Sequence, residues 1–519
     1  MSLRTASCPG CGATLEFRNA ATLTLVCPFC GSANYRSDVD IERLGKVAEV
    51  QPIESPLAIG SEGTADGKRW TAIGQVQLDH GAGPWNEWCL LLDDGSWAWL
   101  AEAQGEFLLT KRVETPAGVP SIDSLHPGDD VEVGPAGRFT VAEVGKGRIV
   151  AAKGELPFRA PPGGIVRYAD IRGTGGRFGT LDYGQGTACE AVYVGTVVKA
   201  EDLGIDPTRV AEAIERRAAA SRLSCPSCGG IIELRDPAGT VRVVCQSCGS
   251  LIDPTAKVAR VLGIGAALKA VPKIPIGSKG ALRGEAVEII AFLIRSVTAE
   301  GKNYPWSEYL LKTARGSYLW LVESEYHWNQ AETVSLADVK AAGIRGFRGR
   351  DFRHFQGGDA RVDHVQGEVY WEVAVGDTVK ADDYVDPPYM LTLESDAKER
   401  IASLSTYTEP EEVQAAFGLS SAFPKPAGAG PNQPNPWAGA LGAWWGSAAA
   451  LLAAALLLTA LASHGAPAGS GGEVVMGIVV AGLLAIPPIV VTTRRSNFEV
   501  ARWAESDDPV RGGGGDGDD

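Results

Sequence analysis

Along its apolar and polar positions the chain reads as short alternating runs broken by turn residues. The stretches TLEFRNAATLTLV (14–26) and IIELRDPAGTVRVV (231–244) alternate around Asn-Ala and Pro-Ala-Gly, which predicts a hairpin within each. EWCLLL and EYLLK lead through DDGS and ARGS into WAWL and YLWL, again as hairpins, with Gly95 and Gly316 supplying the turns and aromatic residues along one face. DPTRVAEAIERRAAASR (206–222) shifts to helical spacing and predicts a connecting helix. Two late runs have no polar period: 441–463 holds 23 residues without a charge and 474–491 a further 18, each able to cross a hydrocarbon core of ~30 Å as a helix.

These runs occur twice in the same order. IGSEG (59–63) precedes PWNEWCLLLDDGSWAWL (84–100) as IGSKG (276–280) precedes PWSEYLLKTARGSYLWL (305–321), and KGELPFRAPPGGIVRYADI around Glu155 corresponds to QGEVYWEVAVGDTVKADDYV around Glu368. A duplication of this size predicts repeated domains. The reading is a multidomain, mainly β protein: zinc ribbon 1 (1–36), β-domain 1 (53–200), a connecting helix (201–222), zinc ribbon 2 (223–252), β-domain 2 (271–406), a flexible Pro- and Gly-rich spacer (407–436), a two-helix transmembrane hairpin (437–493) and an acidic cytoplasmic tail (494–519). Each β-domain is expected to be an antiparallel β-sandwich or a partly closed barrel.

Cysteine placement adds the first chemistry. Eight of the ten cysteines form four CxxC pairs, with 15 residues between the pairs of the first ribbon and 16 in the second. Cys8, Cys11, Cys27 and Cys30, and then Cys225, Cys228, Cys245 and Cys248, are thus two sets of four thiolates for tetrahedral Zn2+. Four protein sulfurs close the coordination sphere, so both sites read as structural, with oxidative zinc release as the alternative. Gly12, Gly31, Gly229 and Gly249 follow each second cysteine, where a positive φ is expected to turn backbone N–H groups toward the thiolates.

CPxCG ribbons preceding β-domains with a GS-aromatic-x-WL hairpin, in tandem, resemble a bacterial uncharacterised family, domain of unknown function 4178. The resemblance implies a bacterial protein linked to membrane-associated assemblies and brings no activity with it.

The net charge of −15 weighs against a phosphate backbone as partner, so nucleic-acid binding through the ribbons is an alternative only. Trp437, Trp444 and Trp445 at the start of the first apolar run, with Arg494 and Arg495 after the second, predict an inner-membrane, multi-pass protein with both termini cytoplasmic. What recurs outside the ribbons is Trp85 with Glu87, Trp97 with Trp99, Trp306 with Glu308, and Tyr318 with Trp320. Residues two apart share a strand face, so each set is a core face or a recognition surface on which a carboxylate among aromatics takes a cationic group. The function expected is a membrane-anchored cytoplasmic scaffold or adaptor, not an enzyme, whose partners are the bilayer and other membrane-associated proteins. The alternatives are nucleic-acid binding and an enzyme of unrecognised type acting on a small cationic ligand.

Overall fold

The computed structural model describes residues 4–19, 22–36, 41–46, 55–80, 84–103, 106–206, 222–236, 240–254, 259–264, 270–299, 301–344, 346–438, 449, 453, 489–504 and 506–507. Alternating short strands with Gly turns have few ways to hide their edges, and here each set does so by closing on itself. In the first β-domain, strands Lys68–Asp79, Pro84–Leu92, Trp97–Ala103, Glu106–Val113, Ala191–Val198, Arg177–Gly184, Ile165–Arg172 and Arg138–Leu156 pair in that order, and the last returns to the first. The second repeats the order with Glu285–Ala299, Lys302–Thr313, Tyr318–Ser324, His327–Val334, Arg400–Thr408, Tyr389–Ser395, Thr378–Asp386 and Arg353–Val369, again closed. Both are eight-stranded antiparallel barrels, so of the two expected forms the barrel is taken and the sandwich is not, with closure complete where it was expected to be partial.

The ribbons are extensions of the barrels. Arg138–Leu156 runs past the barrel so that Glu155 and Leu156 pair with Leu25 and Thr24. In the second copy Gly367, Glu368 and Val369 pair with Val244, Val243 and Arg242. Gly154 makes the bend possible: its φ is +70°, and a Cβ there would lie 2.2 Å from the Ile73 carbonyl oxygen. The hairpins expected between the knuckles do not form. Thr14–Phe17 pairs back with Arg4–Ser7, and Thr24–Val26 pairs forward with Ser32–Arg36, so each CxxC sits at the tip of its own hairpin.

Both barrels carry an apolar outer face as well as a lumen. Trp70, Trp88, Leu90, Leu92 and Phe107 pack under Leu57, Leu203 and Ile205. The counterpart Tyr309, Leu311 and Trp328 packs under Val413 and Phe417, and the Phe423 ring lies 5.1 Å from that of Trp328. Segment 407–436 is therefore not a flexible spacer. It contains helix Pro410–Ala416, and the buried Asn432 side chain donates to Asn329 Oδ1 at 2.7 Å. Direct contacts join the barrels: the Val144 N–H donates to the Lys398 carbonyl at 2.9 Å, and Lys340 Nζ meets Asp130 at 2.6 Å.

The expected membrane topology is corrected: among the described residues no helix is long and apolar enough to cross a membrane. The hairpin at 437–493 lies mostly outside the described residues, as does most of the connecting helix, and Arg222 begins strand Arg222–Ser224. Residues of the expected hairpin flanks pack against one another, with the Arg494 guanidinium 4.9 Å over the Trp437 ring. The tail begins as a helix (489–504) that docks on the second barrel, where Trp503 meets Phe355 at 5.7 Å and Ser506 Oγ donates to the Phe355 carbonyl at 2.7 Å.

Candidate metal centres and barrel lumens

Each ribbon brings its four cysteines together without a disulfide. The sulfurs of Cys8 and Cys30, and of Cys11 and Cys27, are 3.7 Å apart, and the second ribbon gives 3.7 and 3.8 Å for Cys225 with Cys248 and Cys228 with Cys245. A disulfide needs about 2.05 Å. A tetrahedral ion with metal–sulfur bonds of about 2.3 Å separates its ligands by roughly 3.8 Å. Both sets therefore fit a metal ion, and among the described residues they are the two groups that can hold one. The knuckle glycines take positive φ, yet their N–H groups close the turn on a carbonyl instead of a thiolate: Gly12 on Cys8 and Gly31 on Cys27, at 2.8 and 2.9 Å. Ser32 draws the Cys30 thiol down to about 6 through its hydroxyl and then its amide, and Ser250 does the same for Cys248. Those two thiols favour the charge state a metal requires, whereas Cys11 and Cys228, against a lowering backbone hydrogen bond, are pushed up to about 12 by desolvation and the neighbouring sulfurs.

Above each ribbon lies a buried carboxylate that ties it to its barrel. Glu155 accepts from the Arg18 N–H at 2.9 Å, the Asn19 N–H at 3.3 Å and Thr22 Oγ1 at 2.7 Å. Glu368 accepts from the Arg235 N–H at 2.8 Å, the Asp236 N–H at 2.9 Å and Thr240 Oγ1 at 2.9 Å. The turn between the knuckles thus hands its free donors to the strand that closes the barrel. The repeated KGEL and QGEV were visible in sequence as a correspondence; their role needed the fold.

The recurring aromatic and acidic residues face the lumens. Trp85, Glu87 and Trp99 line the first, and Trp306, Glu308, Tyr318 and Trp320 line the second. Trp97 shares the face of Trp99 and packs on two of the lining rings, edge-on at 6.0 Å from Trp99 and tilted at 6.2 Å from Tyr193. Tyr318 is turned toward its ribbon, where its hydroxyl donates to Asp236 and its ring stacks 4.3 Å from Tyr370. In both copies the indole N–H donates to the neighbouring carboxylate, Trp85 to Glu87 at 3.1 Å and Trp306 to Glu308 at 2.6 Å.

Sequence reading missed the other half of each lumen. Asp170 accepts from Thr180 Oγ1 at 2.8 Å, and at the same register Asp383 accepts from Thr392 Oγ1 at 2.6 Å. Asp182 and Glu394 follow those threonines by two residues and turn to the same side. Aligning the repeats past YADI and ADDYV would have exposed the aspartates.

Burial pushes Glu87 up to about 7, and burial, then the Glu143 charge, pushes Asp170 up to about 7 as well. Asp182 also rises through burial, opposed by the Gly184 N–H and then by Arg112, while the Thr180 hydroxyl and then Arg172 oppose the rise at Asp170. Unfolded carboxyls titrate near ~4, so between that pH and about 7 the folded protein holds protons the unfolded chain has released. Stability contributed by these groups accordingly falls as pH rises through that window. Thermal unfolding at pH 5.5 and 8 is expected to show Glu87→Gln gaining on wild type at pH 8 by roughly 2 kcal/mol relative to pH 5.5. A constant difference between the two proteins would exclude a raised Glu87.

A ribbon fused to a closed barrel, given twice, defines the class: a tandem barrel protein braced by four-cysteine sites. The chain belongs to the family described as Domain of unknown function (DUF4178), whose model matches residues 58–200 and 275–410, more than half of the chain. No curated protein and no solved structure matches it.

Proposed function

We propose that the chain is a binding protein whose barrel lumens receive small ligands, with a structural Zn2+ in each ribbon bracing the barrel beside it. Zinc suits four thiolates in a closed tetrahedral set. The observation that carries the ligand reading is the lumen itself. Glu87, Asp170 and Asp182 in one barrel, and Glu308, Asp383 and Glu394 in the other, sit among tryptophans in a cavity continuous with the space between the barrels. A mainly apolar wall with a few convergent polar groups is the usual composition of a small-molecule site. Buried charges are costly to keep without a role, which adds support.

Ala101 pairs with Glu87 across the sheet and lines the same lumen, so Ala101→Trp fills the first barrel from its wall. Quenching of tryptophan fluorescence by small neutral aromatic probes such as indole and acetanilide is expected to saturate in wild type and to lose its first-barrel component in Ala101→Trp. Isotherms that do not saturate, or that Ala101→Trp leaves unchanged in a folded protein, reject the reading.

A further inference from the structure

We infer that the first barrel binds a cationic ligand, a guanidinium or primary ammonium group seated between Glu87 and Asp182 on the face of Trp85, and that the second barrel carries its own such group in Arg295. This rests on the lumen reading above and deepens it.

The two copies share three carboxylates of the acidic wall, with Asp182 in place of Glu394 and with Glu143 where the second barrel has Gln356, and they differ in the residue opposite the tryptophan. In the second barrel Arg295 lies directly opposite Trp306 in the strand register. Its Nη1 is 3.3 Å from Glu308 Oε1 and 2.7 Å from Glu394 Oε1, and its guanidinium carbon stands 5.7 Å from the Trp306 ring centre. Arg295 is 9% exposed, so a desolvated cation is held by two carboxylates and an indole face. In the first barrel the residue opposite Trp85 is Leu78. Trp85, Glu87, Asp170 and Thr180 are retained at the registers of Trp306, Glu308, Asp383 and Thr392, and Asp182 keeps a carboxylate at the register of Glu394, while the arginine opposite the tryptophan is gone; the arginine the first cavity does hold, Arg172, lies beyond Asp170 with its guanidinium 4.7 Å over the Phe178 ring. Among the described residues Glu87 receives one hydrogen bond, from Trp85, and forms no ion pair.

The internal repeat therefore displays an occupied version of the site beside an open one. Other residues tune the open one. Tyr168 stands where the second barrel has Ala381, opposite the acidic residue that follows the threonine, and Tyr193 stands where it has Ser403. These two rings narrow the first lumen around the carboxylates and suit a slim cation on an alkyl stem.

The test uses the full-length, metal-loaded protein and n-butylguanidinium, with its neutral isostere n-butylurea as control, by calorimetric titration. Wild type is expected to bind one n-butylguanidinium per chain, with n-butylurea at least ~10-fold weaker, the margin a buried charge-assisted contact gives. Leu78→Arg, which installs the second barrel's cation in the first, is expected to abolish binding and raise the melting temperature. Glu87→Gln is expected to weaken it ~10-fold or more while leaving the melting temperature at pH 5.5 within a few degrees of wild type. Equal binding of the urea, or cation binding unaffected by Leu78→Arg in a folded protein, overturns the inference. If n-butylguanidinium fails while neutral aromatic probes still bind in a manner Ala101→Trp blocks, the cation inference falls and the lumen reading stands. If neither class of probe binds, both fall.

Discussion

Replacing Cys27 with serine is expected to halve the metal content, from two equivalents per chain to one, and to unfold the first ribbon while the second remains intact. The ribbon has little else to hold it: its buried apolar cluster is Cys8, Leu15, Phe17, Leu25 and Cys27, two of which are ligands. A core of that size cannot offset the chain entropy of ordering some thirty residues at ~1–2 kcal/mol each. Zinc bound by four thiolates contributes on the order of 10–16 kcal/mol in isolated finger peptides. Elemental analysis after gel filtration reads the stoichiometry, and limited proteolysis within residues 1–36 reads the unfolding. Because the ribbon shares a strand with its barrel, the first barrel should also lose several degrees of thermal stability while the second is unchanged. Two equivalents retained in Cys27→Ser would show that this set is not a metal site.

Glu155→Ala is expected to cost about 3–5 kcal/mol, as much as truncating a large buried aromatic side chain of the barrels. The carboxylate is 3% exposed and takes the Arg18 and Asn19 N–H groups and the Thr22 hydroxyl. Removing it leaves those buried donors without an acceptor, at ~1–3 kcal/mol for each. Glu155→Gln keeps one acceptor oxygen and should cost roughly half as much. Glu368→Ala tests the same contact in the second copy. There the Arg235 guanidinium also lies 3.6 Å from Glu368, so the loss should be at least as large. Chemical denaturation with metal bound measures each value, and a loss below ~1 kcal/mol for Glu155→Ala would mean that strand pairing alone docks the ribbon.

These two effects explain why ribbon and barrel recur together. A metal on the four cysteines would order a small hairpin pair, the glutamate fastens its turn to the strand that closes the barrel, and Gly154 lets that strand bend into both. The lumen carboxylates sit on a wall made rigid from one end.

Much of this was legible in the residues. Four CxxC pairs at ribbon spacing state their chemistry without a fold, because thiolate geometry needs only a short loop between ligands. The Gly95 and Gly316 hairpins were legible because a turn and its flanking alternation are local: Leu92 and Ser96 are joined by one 2.8 Å backbone hydrogen bond. The pairing inside the ribbons misled, since alternation marks strands but not partners, and a knuckle turn brings its flanking strands together before a longer loop can. Charge-free length suggested a membrane hairpin, and Pro- and Gly-rich composition suggested a spacer. Composition does not tell whether a segment meets lipid, solvent or an apolar barrel face, and 407–436 meets the barrel.

The sequence by itself determined the duplication, the ligand sets and the β-rich character, all of which depend on residues near one another in the chain or on direct self-similarity. Only the tertiary structure decided that the barrels close, that Glu155 and Glu368 are the fastenings, and that Asp170 and Asp182 face Glu87 across a lumen. Those contacts join residues 83 or more positions apart in the lumen and 133 or more at Glu155. Their energy depends on a curvature and register that no local pattern encodes. The difference between Leu78 and Arg295 is plain in the chain, yet it acquires meaning only when the strand register places each opposite its tryptophan.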